Sequence, residues 1–227
     1  MTSAVPSTAK GRATRQRIVR TAAELVAEHG IAAVSLDDVG HRASASRSQL
    51  YHYFQDKDAL IRAVIEAISD AVLSAQDELL DHVDSWAGID RWFDALVSIQ
   101  RERQARGGCP IGSLAGQLAE RDPDARVAIA DGLGRWEAKL GAGLTRMQAR
   151  GKLGPEADPA ALATATMASL QGGLLLTQVR RDPAQLRVAL DAARLVLRAH
   201  RAGGGIGQRG PEAGARMAVS TPRARAR

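Results

Sequence analysis

Residues 46–60 read SRSQLYHYFQDKDAL. The 227-residue chain holds seven aromatic side chains, and three of them, Tyr51, Tyr53 and Phe54, fall within four consecutive positions here. Ser46 and Gln49 have the spacing of a capping box, in which each side chain satisfies the other's free backbone N–H, so a helix is predicted from Ser46 through Phe54. At ~100° per residue, Tyr53 and Phe54 lie within about 60° of Leu50. Ser48 and His52 point the opposite way, with Gln49 and Tyr51 on the flanks. One face is thus large and apolar, as a small domain needs in order to gain buried area. The other presents Arg, Ser, Gln and His, the kinds of group that meet base edges in a major groove. Tyr hydroxyls, Lys57 and the Ser46 helix start suit phosphates, which position without specifying.

Working upstream, Thr14 to His29 carries Ile18, Ala22, Leu25 and Val26 at the spacing of an amphipathic helix, ended by Gly30. Ser35 with Asp38 three residues on starts a second helix, whose inner stripe is Leu36, Val39 and Ala43. Three short helices in about fifty residues, the last two joined by a tight link, describe a helix-turn-helix. Asp56 is the expected cap of a long fourth helix.

Downstream, helical spacing continues without any sustained strand alternation, so the fold class is all-α: a three-helix helix-turn-helix domain plus a larger helical domain. Trp86, Ile89, Trp92, Phe93 and Leu96 share one helix face. Further helices are expected from Pro110 through Glu120, from Pro123 to about Arg150, from Pro159 to Arg181 and from Pro183 to about Arg201. The expected domains are an arm over 1–10, the helix-turn-helix over 11–58, a helical body over 59–202 and a disordered basic tail over 203–227.

Charge narrows the partners. The formal net charge is +6, but the chain from Arg198 onward carries seven Arg and one acid, so residues 1–197 are neutral, with 24 basic and 24 acidic groups. What remains is local. Lys10, Arg12, Arg15, Arg17 and Arg20 stand in the first twenty residues with no acid among them, an arm suited to phosphates. No run approaches the ~20 apolar residues of a membrane span, and no secretory signal opens the chain, so a cytoplasmic protein without a membrane partner is expected. One cysteine, Cys109, and five scattered histidines give no metal site. Residues 205–210 spell G-x-G-x-x-G, but no strand precedes them and Pro211 follows, so no dinucleotide or other cofactor is expected. No spacing recommends a catalytic set, and an enzyme is not expected. An all-α adaptor that binds another protein is the rival reading; it leaves the polar face of residues 46–54 unexplained.

Residues 14–60 resemble the DNA-binding domain of the TetR family of bacterial repressors. The features that match are the opening helix ended by Gly30, then SLDDVGHRA, then LYHYFQDKDAL with Leu50, Tyr51, Phe54, Lys57 and Leu60. The resemblance implies that Tyr51 and Lys57 contact phosphates, that Arg47, Ser48 and Gln49 face base edges, that His52 does either, and that Ser35 holds a phosphate. It departs at Ser44, where the family usually carries Gly; a Ser there has to accept a positive φ, or the turn differs. The family reads a double-stranded, palindromic DNA operator as a homodimer. This implies pairing through the helices near 159–181 and 183–201, with Leu186, Ala189, Ala193, Val196 and Leu197 as one stripe. It also implies a small-molecule effector in the middle helices, with Trp92, Phe93, Leu96, Cys109, Leu114, Leu118, Trp136, Leu140, Met147, Met167 and Gln171 as candidate lining residues. The stretch GGCPIGSLA (107–115) is similar to drug- and flavonoid-responsive members, whose effectors are bulky and largely apolar. Cys109, near a helix start, is either a sensor thiol or a buried, inert one.

Overall fold

Thr8 begins the first helix: its side chain accepts from the Gly11 N–H, and α1 runs Ala9–His29. The protein is described here by a computed structural model covering residues 6–203. The start at Ala9 is five residues earlier than the apolar periodicity indicated. Lys10 and Arg12 therefore stand on a helix, not on a free arm. The first turns carry no apolar stripe, so only the cap chemistry of Thr8 marks them. The expected basic tail beyond Gly203 and the G-x-G-x-x-G at 205–210 lie outside the described residues.

Gly30, at φ 78°, ends α1 and a single 3-10 turn, Ile31–Ala33, leads to α2 (Leu36–Arg42) and α3 (Arg47–Tyr53). Then follow α4 (Lys57–Ser74), capped by Asp56, the short α5 (Asp77–Asp81), and α6 (Trp86–Glu102). After these come α7 (Pro110–Leu118), α8 (Pro123–Ala149), α9 (Pro159–Arg180) and α10 (Ala184–Ala199). Among the described residues no strand forms, and the fold is all-α. The boundaries of α7 to α10 fall within two residues of those expected, because Asp or Pro start signals stand at each one. α5 was not expected; five residues are too few to show a period.

One continuous core joins the two halves. α4 packs against α1 on one side and α7 and α8 on the other, so a cut at residue 58 falls inside its first turn. α9 packs on both α8 and α10. Its length and mean hydropathy of 1.3 meet the requirement for a membrane-crossing helix, which amends the expectation that no segment does; nearly half of that window is buried against its neighbours.

The expected stripe of the last helix divides between two faces. In α10 the inward residues are Leu186, Leu190, Ala193 and Leu197, whereas Val196 faces out. Six of the eight large hydrophobic side chains left exposed among the described residues lie on α9 and α10. Val179 is 72 % exposed, Val188 68 % and Leu195 71 %. These two helices thus carry two apolar faces each, one inward and one outward.

Candidate functional site

Local chemistry builds the helix-turn-helix. The Ser35 side chain accepts from the Asp38 N–H at 3.2 Å, while Asp38 Oδ2 accepts from the Ser35 N–H at 3.0 Å and from its hydroxyl at 2.5 Å. Ser46 and Gln49 repeat the arrangement: Ser46 Oγ accepts from the Gln49 N–H at 3.2 Å and Gln49 Oε1 accepts from the Ser46 N–H at 2.9 Å. Each box satisfies backbone donors that a short helix cannot satisfy internally. Between the helices Ser44 sits at φ 48°, the left-handed conformation that the departure from Gly requires.

Close approach orients α3 on α2. A Cβ on Gly40 would lie 2.9 Å from Leu50 Cδ1 and 3.1 Å from the Ala45 carbonyl oxygen, so a side chain there would press on Leu50 and the backbone where the two helices meet. Leu50 and Phe54 are buried, and Tyr53 packs partly against the same core. The Arg15 guanidinium lies 5.3 Å from the Phe54 ring centroid, within cation–π range. At the other end, Arg42 grips Glu28 with two bonds of 2.7 and 2.8 Å, tying α2 to α1. That hydrogen-bonded guanidinium holds the Glu28 carboxyl below its usual pKa, and the Ser35 hydroxyl does the same for Asp38.

The exposed face of α3 holds Arg47, Ser48, Gln49, Tyr51 and His52. Tyr51 is 48 % exposed, and the Arg47 guanidinium lies over its ring, 5.7 Å from the centroid. The His52 ring packs edge-on against Tyr53 at 4.9 Å. Two expected contacts are already engaged inside the protein. Gln49 uses its carbonyl oxygen in the capping box, which leaves its amide N–H groups outward, and the Ser35 hydroxyl donates to Asp38. Lys57 begins α4 beside this face, half-buried.

A second site lies in the helical body. A cavity of about 300 Å3 opens between α1, α4, α6, α8 and the start of α7. Of the expected lining residues, it takes Leu96, Cys109 and Trp136. Gln171 instead lines a shallower cleft of about 630 Å3 between α7 and α9, which Cys109 also borders. Trp92, Phe93, Leu114, Leu140, Met147 and Met167 are buried among other core residues, and Leu118 packs partly against them; none of them lines either space. Trp92 donates its indole N–H to Gln76 Oε1 at 2.9 Å. Cys109 is buried, and its Sγ caps α7 by accepting from the Gly112 N–H at 3.3 Å.

The cavity also uses residues that the pattern did not single out. Ala23 and Ala27 come from α1, and Gln100 comes from α6. Gln100 lies four residues beyond Leu96 on an apolar stripe, and a polar residue in that position was the available signal. Among the described residues, no group of three His, Cys, Asp or Glu side chains is close enough to hold a metal ion.

Comparison with known proteins agrees with this geometry. Residues 18–64 match the family model for bacterial regulatory proteins of the tetR family, and residues 86–193 match that for a tetracyclin repressor-like C-terminal domain. The transcriptional regulator AcuR of Cereibacter sphaeroides is 28 % identical over 172 residues, covering 74 % of this chain and 78 % of that one. An HTH-type regulator from the lacX 3' region of Lactococcus lactis is 27 % identical over 176 residues, covering 75 % and 86 %. The crystal structure of a regulatory protein TetR from Rhodobacter sphaeroides superposes with a TM-score of 0.69 at 23 % identity, covering 83 % of this chain and 98 % of that one, a likeness of fold. With a capped helix-turn-helix at one end and the matching helical body at the other, the chain belongs to the TetR family of bacterial transcriptional regulators.

Proposed function

We propose that this regulator is a homodimeric repressor that sits on a palindromic operator and is released by a small, largely apolar effector. The observation that carries the reading is the division of α3. Leu50 and Phe54 fasten it to the core, while Arg47, Ser48, Tyr51 and His52 stand in solvent as one polar face. Laid in a major groove, Arg47 and Ser48 meet base edges, as do the outward amide N–H groups of Gln49. Tyr51, Lys57 and Ser35 meet phosphates on either side, and His52 reaches either. Lys10, Arg12, Arg15 and Arg17 on the first turns of α1 add sequence-independent attraction. Repression is the family's prevailing mode, and an activator would use the same parts.

Dimerisation follows from the outward faces of α9 and α10. Leu175, Leu176 and Val179 with Val188, Leu195 and Val196 form an apolar surface that a second copy covers, giving a four-helix interface. Two α3 helices then sit one DNA turn or more apart.

Effector response rests on where the cavity lies. Ala23 and Ala27 bring α1 of the reading head to its wall. The same wall includes Cys109 and Pro110, where α7 starts; at the far end of α7 Gln117 Oε1 accepts from the Ile31 N–H at 3.2 Å. A ligand that displaces the start of α7 therefore acts on the turn between α1 and α2. Occupancy favours dimers whose α3 helices are wrongly spaced, by as much as the ligand's affinity differs between the two states.

Selection of bound duplexes from random DNA with purified protein tests the whole reading. An enriched palindrome bound by a dimer is expected. Salt-sensitive binding with no enriched sequence would overturn it and favour the protein-binding adaptor.

A further inference from the structure

Two Gln–Trp pairs lie close to the effector cavity, and they differ. In the first, Gln76 accepts from the Trp92 indole N–H at 2.9 Å and donates to the Val72 carbonyl at 3.0 Å, so its amide is satisfied by protein. In the second, Gln100 is 3 % exposed and Trp136 2 %, both line the cavity, and they do not bond to one another. Gln100 Oε1 and Trp136 Nε1 each lack a protein partner. One is an acceptor and the other a donor. Buried polar groups are nearly always hydrogen-bonded, and both residues border the same space.

The rest of the wall constrains what enters. It is mainly Ala, Ile, Val and Leu side chains. Arg103, exposed at the rim, is the one charged residue among the described lining residues. An ionised group deep in this cavity would lose its hydration and gain no opposite charge. At about 300 Å3 the space sits at the low end for small-molecule sites.

We propose that the cavity takes a compact, uncharged molecule with an apolar body and a hydroxyl or amide, which accepts from Trp136 Nε1–H and donates to Gln100 Oε1. This rests on the cavity's being the effector site. It narrows the class implied by the GGCPIGSLA resemblance: the ligand is small, not bulky, and neutral at its buried end. Carboxylates lack the donor that Gln100 needs, ammonium ions meet a donor at Trp136, and plain hydrocarbons leave both polar atoms unpaired.

Four probes of one shape separate these classes: benzyl alcohol, toluene, benzoate and benzylamine, titrated into the full 15N-labelled chain. The protein has three Trp, and the indole N–H resonance missing from Trp136→Phe identifies the cavity signal. Benzyl alcohol is expected to shift that resonance and to bind at least about threefold to tenfold tighter than toluene, the range of a net hydrogen bond, with both ions weaker than the alcohol. Gln100→Leu, checked for folding by its melting curve, should narrow the gap between alcohol and toluene, since only the Trp136 N–H is then left to bond the hydroxyl. Equal binding of alcohol and toluene to the unsubstituted protein would overturn the proposal, as would tightest binding of benzoate or benzylamine, or no shift with any probe. An ordered water that bridges Gln100 and Trp136 and stays when the alcohol binds would overturn it too. DNA release is scored separately on the selected duplex. The expected order without any loss of DNA affinity would uphold the ligand class and sink the effector role. Release by an ion would do the reverse.

Discussion

The helix-turn-helix and the cavity between the helices are built on opposite plans. In α2 and α3 the caps and the turn are local: Ser35 with Asp38, Ser46 with Gln49, and Ser44 all act within three residues. The cavity instead gathers Ala27 from α1, Ile68 and Val72 from α4, Gln100 from α6, Cys109 from the start of α7 and Trp136 from α8. Those caps fix α2 and α3 locally, while Gly40 under Leu50 and Arg42 on Glu28 set how they sit on one another and on α1. A cavity shared among helices changes whenever any one of them shifts, which suits a sensor. The two regions meet at α1, α4 and the Gln117 bond.

Leu50→Ala would damage the rigid side most. It removes the side chain that fastens α3 beneath Gly40, and a buried Leu→Ala costs about 2–5 kcal/mol, much of what so small a domain has. Loss of sequence-specific DNA binding is expected, with the melting of the helical body little changed by calorimetry. A single, fully cooperative loss of both halves would show that the head has no independence from the body.

Gly132→Ala is the matching test on the sensing side. A Cβ there would lie 2.3 Å from Ser69 Oγ and 3.0 Å from Ser69 Cβ, wedging α4 from α8. Such overpacking costs about 1–3 kcal/mol. Operator affinity below the melting transition should hold, while probe binding in the cavity weakens. If operator affinity falls as far as ligand affinity, the contrast between the two regions is wrong.

How much of this was legible in the sequence follows the same division. The capping spacings, the Gly30 stop and the Leu50–Phe54 anchor could all be read from neighbours in the chain, and the strained Ser44 from the resemblance, in which Gly is usual there. Gly40's role could not, because it depends on a side chain ten residues away on another helix. Trp92, Leu140 and Met147 share apolar character with Leu96 and Trp136, and composition does not say which of them borders a void. Val196 and Leu197 belong to one stripe by spacing, and only the position of α9 decides that Leu197 is buried while Val196 faces out.

Smaller effects sharpen the picture. Ser44→Gly relieves a left-handed residue, a gain offset by the greater freedom of Gly in the unfolded chain, so a stabilisation of up to about 1 kcal/mol is expected in urea melts. A loss of stability would mean that the Ser44 side chain contributes to the turn. Acid should act on the head through Glu28 and Asp38, whose folded pKa values lie below their ordinary 4.5 and 3.8. Both carboxyls bind protons more tightly when unfolded. Their stabilising effect is thus complete above those ordinary values and fades as pH falls through the lower folded ones. Arg42→Gln should flatten that acid limb in a plot of melting temperature against pH, and an unchanged limb would remove the Glu28–Arg42 pair from the account.

The central claim is that the outward face of α3 reads DNA sequence, and Arg47→Ala tests it most directly. Its affinity is compared with the unsubstituted protein's on the selected operator, on single-base variants of it and on unrelated duplex, at one stated salt concentration. Loss of about 1–3 kcal/mol on the operator, with discrimination relaxed at one base pair of each half-site and binding to unrelated duplex nearly unchanged, is the predicted result. Undiminished discrimination at every position would contradict the assignment of that face to base reading.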